Sequence, residues 1–347
     1  MRVIGSSSAI VALIAATSAW SQAPSRVEPS REASGRSSSR ADTDVVSLFR
    51  FEPTGLSLLR PYQRGKTPVV FVHGLWANPW SWCRMIESLE ADSALHDRYQ
   101  FWTFGYSTGD PLPYSAALLR RDLDEVRRKF DPDGTNAAFD RMVLVGHSMG
   151  GLLTKMMVQD SGTRLWRLIS DQPVDALAGE PDDRELFRRA LIFKPRSEIR
   201  RVVFIATPHQ GSRVDQGGLE RLASRLIRLP DPLRASYERL IARNGLDFFT
   251  ERFRNGLPTS IDELEWQSPI LMRLNELGLA TTIKAHSIIA DLRDPPRTGG
   301  SDGVVPYESA HLDRTVSESL VSSGHLCQDH PAVIREVRRI LAEHGTP

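Results

Sequence analysis

The chain has 347 residues, of which 40% are hydrophobic and 25% are charged, as in an ordinary globular protein. Its formal net charge of +1 gives no argument for binding nucleic acid or an anionic membrane. The length suffices for one α/β domain with an insertion. The two cysteines, Cys83 and Cys327, fit no zinc or redox spacing. They are expected to form either two buried thiols or one disulfide, and the disulfide gains weight if the protein is exported.

The N-terminus has the pattern of a signal peptide. An apolar run of small and aliphatic residues, 9–16, follows a basic start, and further small residues come after it. We therefore predict a signal peptide over 1–23 and export to the periplasm or the medium, with a cytoplasmic location as the alternative. The run is too short for a permanent membrane anchor. Residues 24–44 are rich in Ser, Arg, Glu and Pro and predict a disordered linker.

From residue 45 onward, strands are predicted to alternate with helices. Short continuous apolar runs, as strands buried on both faces require, are followed by segments with apolar residues at helical spacing. A long polar connection separates the helix after the third strand from the fourth strand. The alternation predicts an α/β protein with a mostly parallel sheet covered by helices on both faces. The predicted strands are 68–74, 99–104, 142–146, 201–206, 283–290 and 317–322, and the predicted helices include 80–89, 114–130 and 331–343.

A long insertion separates the fourth and fifth of these strands. It spans about 213–282, which is too long for a structureless loop in a compact domain. It contains the helical runs Leu219–Leu229 and Leu233–Arg243 and the aromatic pair Phe248-Phe249. We predict a helical cap inserted over the active site of one catalytic domain, 45–347. A second independent domain is less favoured, because the sheet resumes after the insertion.

The segment Val143–Leu152 contains the most informative motif of the chain. An apolar run ends in the G-x-S-x-G sequence Gly146–Gly150, and a helix-compatible apolar run follows. This order is typical of a nucleophile elbow, in which a strained turn between strand and helix presents a serine hydroxyl. The pentapeptide occurs often by chance, but its context and three further motifs make Ser148 the candidate nucleophile.

A serine nucleophile needs a base within hydrogen-bond reach and a carboxylate that orients the base. Hydrolases with a nucleophile elbow have the chain order Ser, acid, His. Asp302 lies in a glycine-containing loop beyond the predicted strand 283–290 and is the candidate acid. Asp291 and Asp294 lie nearer the strand end, but the proline-rich sequence around them favours a turn.

The candidate base is His325. It follows the predicted strand 317–322 directly, where loops at the carboxyl ends of parallel strands build sites. Three other histidines are weighed against it. His330 precedes a proline and is interpreted as the start of the last helix, His286 as a core residue of a strand, and His147 as a packing neighbour of the nucleophile.

The oxyanion that forms during acyl transfer needs main-chain N–H donors. One comes from the residue after the nucleophile, which is Met149 here. The other is expected from the loop after an early strand, where His73–Trp76 follows the predicted strand 68–74. We therefore assign the second donor to the N–H of Leu75.

These motifs resemble the α/β-hydrolase superfamily, and within it the chain is most similar to bacterial lipase- and esterase-like members. The resemblance covers residues 65–345 apart from the variable insertion. The segments that carry it are Val72–Leu75, Phe104–Gly109, Gly146–Gly150, Ala206–Ser212, Asp302–Pro306 and Gly324-His325.

The resemblance implies an α/β-hydrolase fold and a Ser148–Asp302–His325 triad. It further implies ester hydrolysis through an acyl-enzyme. We expect no cofactor, and no part of the sequence resembles a metal-ligand cluster, although a structural calcium ion is left open. His209 in the Ala206–Ser212 segment is interpreted as structural, bordering the cleft.

The leading hypothesis is a serine ester hydrolase acting on a small-molecule lipid or another hydrophobic acyl ester. Bulky residues beside the predicted cleft, Trp76 and Trp80 among them, motivate the hydrophobic substrate, although they also fit a core. An acyltransferase, an amidase or a polyester depolymerase with the same triad is the alternative. From another class, a non-catalytic hydrolase-fold binding protein is disfavoured because all three triad residues are present. The oligomeric state is left open.

Overall fold

The computed structural model describes residues 54–212 and 229–345. The predicted signal peptide and linker lie outside the described residues. So does the first part of the predicted insertion, including almost all of the run Leu219–Leu229.

A mixed sheet of seven strands organises the described part of the chain, in the order β1-β3-β2-β4-β5-β6-β7. Strands β2 to β7 are parallel to one another, and β1 pairs antiparallel with β3 at the edge. The mostly parallel sheet predicted from the apolar runs is thus confirmed. The strands are β1 (Gly55–Leu58), β2 (Thr67–Val72), β3 (Tyr99–Gly105), β4 (Met142–His147), β5 (Ile199–Ile205), β6 (Lys284–Asp291) and β7 (Ser317–Ser322).

Helices connect these strands, and the predicted ones over 80–89, 114–130 and 331–343 correspond to α1, α3 and α11. Their bounds differ from the predicted ones by at most a few residues. The helices are α1 (Cys83–Glu90), α2 (Ser93–Arg98), α3 (Leu112–Phe130), α4 (Met149–Met156), α5 (Pro181–Leu191), α6 (Asp231–Asn244), α7 (Glu251–Arg254), α8 (Ser260–Glu263), α9 (Pro269–Leu277), α10 (Tyr307–Ala310) and α11 (Pro331–His344).

Helices cover both faces of the sheet. Successive side chains of a strand point alternately to one face and to the other. On one face, Val70 and Leu144 join an apolar cluster with Leu153 of α4 and with residues of α3 and α5. On the other face, the Phe71 ring lies 5.1 Å from the ring of Trp82, which precedes α1. Helix α11 packs against α1 on that side. This two-sided burial explains why the central strands read as continuous apolar runs.

Two elements differ from the expectations from sequence. Strand β1 was not predicted, because its four residues are mostly half-buried and form no apolar run. Helix α5 lies in the segment interpreted as a polar connection, and that interpretation is wrong. Only Phe187, Ala190 and Leu191 form its buried apolar stripe, and the remaining residues are largely charged. A stripe this narrow is hard to distinguish from a loop without the core against which it packs.

Helices fill the described part of the predicted insertion 213–282. The run Leu233–Arg243 lies within α6. Helix α6 is tied to α5, because the Arg239 guanidinium and the Ser236 hydroxyl each bind the Asp183 carboxylate at 2.6 Å. That these helices cap the active site stays a prediction.

Both cysteines are free thiols, so the alternative of a disulfide is not realised in the structure. Cys327 is buried, and Cys83 is half-buried rather than buried. Within residues 54–212 and 229–345, no helix combines the length and the apolar character that crossing a bilayer requires.

Candidate active site

Ser148 lies at a strained turn between β4 and α4. Its backbone has φ 52° and ψ −126°, a left-handed conformation that costs a non-glycine residue about 1–3 kcal/mol. The turn is held by a hydrogen bond of 2.8 Å from the Ser148 N–H to the Ile205 carbonyl. A Cβ at Gly150 would lie 2.2 Å from the Val72 carbonyl oxygen, so only glycine lets α4 approach β2 so closely. The elbow geometry therefore follows from the G-x-S-x-G sequence.

The structure brings Ser148, His325 and Asp302 into one hydrogen-bonded chain. The Nε2 atom of His325 lies 2.8 Å from Ser148 Oγ, and its Nδ1 atom lies 2.8 Å from Asp302 Oδ2. The carboxylate only accepts, so the Nδ1–H donates to Asp302 and Nε2 accepts from the serine hydroxyl. Ser148 is 7% exposed and Asp302 is 4% exposed. The chain is thus largely removed from water.

A tight turn fixes the carboxylate of Asp302. Its Oδ1 atom accepts hydrogen bonds from the N–H groups of Val304 at 2.8 Å and Val305 at 2.7 Å. Because Oδ1 is occupied in this way, Oδ2 faces the imidazole of His325. The glycine and valines of the Asp302–Pro306 segment therefore set the direction of the acid.

His147 supports the loop that carries His325. Burial, reinforced by the neighbouring His325, lowers the pKa of His147 to about 3, so its ring is neutral. The Nε2–H donates to the main-chain carbonyl of His325 at 2.8 Å. His147 is therefore a neighbour that positions the loop, as expected, and not a second base.

The loop after β2 lies directly against the nucleophile. A Cβ at Gly74 would lie 2.9 Å from Ser148 Cβ, which makes glycine necessary for this approach. Neither the Leu75 nor the Met149 N–H has a hydrogen-bond partner among the described residues. Two unpaired donors beside a serine hydroxyl are what an oxyanion hole requires.

Two residues that the sequence did not assign hold this loop. The Tyr106 hydroxyl donates to the His73 carbonyl at 2.7 Å, and its ring stacks on the His73 ring at 4.5 Å. The hydroxyl oxygen of Thr108 accepts from the Trp76 N–H at 3.3 Å. Both lie in the Phe104–Gly109 segment. The resemblance of this segment to the family was the sequence evidence that could have identified them.

The alternative bases have other partners. The His330 Nδ1 accepts from the Ala332 N–H at 3.2 Å and caps α11, as predicted. His286 is buried in β6, and its ring nitrogens face Arg201 and Ser317. Neither histidine is hydrogen-bonded to Ser148.

The alternative acids also lie outside the hydrogen-bonded chain. The Asp291 carboxylate binds the Arg293 guanidinium, with Nε 2.8 Å from Oδ2, and this hydrogen bond keeps the pKa of the carboxyl well below its usual range. Asp294 precedes Pro295 in the following turn. Neither carboxylate is hydrogen-bonded to His325.

His209 is fully buried, with its ring edge against the Phe204 ring at 4.9 Å. Its main-chain N–H binds the Ser309 carbonyl at 2.9 Å. These contacts are those of a structural residue. Among the described residues, no group of three or more His, Cys, Asp or Glu side chains is arranged to hold a metal ion.

Several large apolar side chains near the site residues in the sequence are exposed. Trp76 is 43% exposed and Trp80 is 55% exposed, so neither belongs to the core. Leu292 and Leu326 are also exposed, and Leu326 follows His325 directly. Leu75 is half-buried, and Met149 is fully buried.

Two solved bacterial structures resemble this chain at low sequence identity. None of the curated proteins matches the chain. The mature form of the Bacillus licheniformis lipase BlEst2 is 16% identical over 84% of this chain and 98% of its own, with a TM-score of 0.46. EstA from Clostridium botulinum is 12% identical over 82% of this chain and 88% of its own, also with a TM-score of 0.46.

The family assignment rests on a separate comparison. The model of the alpha/beta hydrolase family matches residues 69–337, which include the elbow, the loop after β2 and the histidine after β7. The matched range is well over half of the chain and supports a hydrolase. The chain belongs to the alpha/beta hydrolase family.

Proposed function

We propose that the protein is a serine hydrolase that cleaves carboxylic esters of lipids or other hydrophobic acyl groups. The observation that carries the proposal is the chain of two 2.8 Å hydrogen bonds from Ser148 through His325 to Asp302. A hydroxyl, an imidazole and a carboxylate in this order have the geometry of general-base activation of a serine.

In the proposed reaction, Nε2 of His325 takes the proton of Ser148 as Oγ attacks the ester carbonyl. The buried Asp302 carboxylate stabilises the imidazolium that forms. The N–H groups of Leu75 and Met149 donate to the oxyanion, and loss of one such donor costs about 3–4 kcal/mol of transition-state stabilisation. His325 then protonates the leaving alcohol, and a water molecule hydrolyses the acyl-enzyme by the same steps.

The exposed apolar residues at the mouth of the site support a hydrophobic substrate. Trp76 directly follows the proposed oxyanion donor, and Leu326 directly follows the proposed base. Removing exposed apolar side chains from water is favourable. An acyl chain or an apolar leaving group would remove these side chains from water.

The decisive experiment compares hydrolysis of p-nitrophenyl esters, from acetyl to palmitoyl, by the wild type and Ser148→Ala. We expect the wild type to be active, with higher activity on longer chains, and Ser148→Ala to be inactive. Ser93→Ala, at an exposed helix position, is the matched control and should keep full activity. Activity confined to short chains would overturn the hydrophobic substrate but leave the triad.

An inactive wild type would be tested by fluorophosphonate labelling. Labelling of the wild type but not of Ser148→Ala would preserve the activated serine, overturn simple acyl esters as substrates and indicate a specialised substrate. Absence of labelling in folded wild-type protein would overturn the hydrolase itself.

We also propose that the protein is exported. The apolar run 9–16 after a basic start supports this proposal. Expression of the full chain in a bacterial host, followed by N-terminal sequencing of the mature protein, tests it. Cleavage near Ala23 with recovery outside the cytoplasm is expected, and an intact N-terminus in the cytoplasm would contradict it.

A further inference from the structure

An apolar cavity lies beneath helices α6 to α9. It encloses about 90 Å³ and is partly open to solvent. Helices α3 and α5 supply the opposite wall. Most of the lining is aliphatic or aromatic, including Tyr114, Phe187, Leu233, Phe253, Leu257 and Ile270.

This cavity is separate from the proposed catalytic site. Neither Ser148, Asp302 nor His325 lines it, and neither do the two proposed oxyanion donors. An occupant of the cavity would therefore contact none of the groups to which the proposed function assigns chemistry.

Glu263 gives the cavity a polar group in an apolar wall. Its side chain is 3% exposed, and Oε2 accepts a hydrogen bond of 2.5 Å from the Leu112 N–H. Burial raises the pKa of Glu263 to about 8, so the carboxyl is protonated at neutral pH. With Oε2 accepting, the O–H lies on the other oxygen, which has no acceptor among the described residues. The cavity thus contains one unused hydrogen-bond donor.

Arg252 supplies a positive charge to the same cavity. Its side chain lines the cavity and makes no ion pair within the described ranges, 54–212 and 229–345. The guanidinium is close enough to Glu263 that its charge partly offsets the rise in the pKa of Glu263 caused by burial. A ligand with an aliphatic body and an anionic head with two acceptor oxygens would match the apolar walls and both donors.

We propose that this cavity is a binding site for a long-chain aliphatic carboxylate, a free fatty acid. The hydrocarbon chain lies among the apolar side chains of α3, α5 and α6, and the carboxylate accepts hydrogen bonds from Glu263 and Arg252. The site does not depend on the catalytic role of Ser148.

The test measures binding of cis-parinaric acid, a fluorescent fatty acid, to the full chain carrying Ser148→Ala, with displacement by palmitate. We expect saturable one-to-one binding. Adding Arg252→Gln should weaken it by about tenfold or more, since a charged hydrogen-bond partner is lost. Arg243→Gln, an equal charge change at an exposed position of α6 away from the cavity, should leave it unchanged. Ala190→Trp, which narrows the cavity, should abolish it.

Three results would overturn the proposal. The first is no saturable binding, or equal binding by the Arg252→Gln and Arg243→Gln variants. Since Arg252 is exposed, this comparison holds even if Ala190→Trp fails to fold. The second is displacement of the probe by 1-hexadecanol as effectively as by palmitate, which would show that the carboxylate does not contribute to binding. The third is loss of binding when Ser148 of the wild type is labelled with a small alkyl fluorophosphonate, which would make the cavity part of the catalytic site. The first two results do not depend on an active Ser148, because both are measured on the chain that carries Ser148→Ala.

Discussion

The Nε2 atom of His147 lies 2.8 Å from the main-chain carbonyl oxygen of His325. The residue before the proposed nucleophile therefore holds the loop that carries the proposed base. Their rings are 5.2 Å apart, so His147 also packs against the imidazole of His325. A contact between residues 178 positions apart in the chain links the β4 elbow to the loop after β7.

Replacement of His147 by Phe should lower kcat by about five- to tenfold with little change in KM. Phe keeps a ring in place but loses a hydrogen bond worth about 1 kcal/mol, so the position of His325 relative to Ser148 loosens. Steady-state kinetics on a p-nitrophenyl ester measures the split. Unchanged kcat in the folded variant would show that the bond is not needed to position His325.

Asp302→Asn should lower kcat by about ten-thousandfold, since the amide favours the wrong tautomer of the base. Asp291→Asn is the matched control, because that carboxylate pairs with Arg293 and not with His325. It should keep its activity and lose only stability. If instead Asp291→Asn abolishes activity and Asp302→Asn does not, the acid has been assigned wrongly.

Gly74→Ala should reduce activity by about a hundredfold, because small displacements of reacting groups have effects of this size. The added methyl group would lie 2.9 Å from Ser148 Cβ and displace the proposed oxyanion loop. Gly324→Ala is the control, since its Cβ would meet Leu292 at an ordinary 3.7 Å even though it precedes His325. Kinetics and thermal unfolding of both variants separate misplacement from unfolding. Equal activity of the two variants would argue against this close approach.

Acid should destabilise the fold from about pH 6.5 downward. Burial lowers the pKa of His73, His286 and His344 to about 4 and that of His147 to about 3, and it also lowers that of His209. Below the unfolded value of 6.5, the unfolded chain binds protons that the folded chain does not, so folding stability falls with pH.

Thermal unfolding at pH 7, 6 and 5 measures this effect. Glu263 acts in the opposite direction, because its raised pKa favours the folded state as pH falls from about 8 toward 4.5. The raised pKa values of Asp110, Asp329 and His311 act in the same direction as that of Glu263. Five histidines with lowered pKa values stand against these four groups, so a net decrease in Tm from pH 6.5 to 5 is expected. A constant or rising Tm over that interval would contradict the neutral state of these histidines.

Lys155→Met should raise Tm, by about 2–4 °C for each kcal/mol gained in a domain of this size. The Lys155 ammonium is fully buried on α4 with Asn275 as its hydrogen-bond partner, and burial lowers its pKa to about 7. Since an unfolded lysine stays charged up to about pH 10.4, this penalty is complete below pH 7 and fades as pH rises above it. The gain should therefore be larger at pH 6.5 than at pH 9.5. Lys194→Met, at an exposed ion pair, is the control and should show no such pH dependence.

The local sequence was sufficient for the central parallel strands, because their side chains are buried on both faces and are mostly apolar. Residues 68–74 and 142–146 illustrate this, and the glycines around Ser148 similarly reveal the elbow. The chain order of Ser148, Asp302 and His325, together with the family resemblance, was enough to select these residues as candidates. Each of these features depends on residues close together in sequence, or on an order along the chain.

Tertiary structure alone decided the contacts between distant segments. Helix α5 has too narrow an apolar stripe to be recognised before its partner surfaces are known, and β1 exists only through its pairing with β3. Asp291 lies nearer to the end of β6, but only the folded structure shows that Asp302 faces the imidazole of His325. A tight turn directs the Asp302 carboxylate, whereas Arg293 binds that of Asp291. The cavity with Glu263 likewise has no sequence pattern, because it is the space left between helices from three separate parts of the chain.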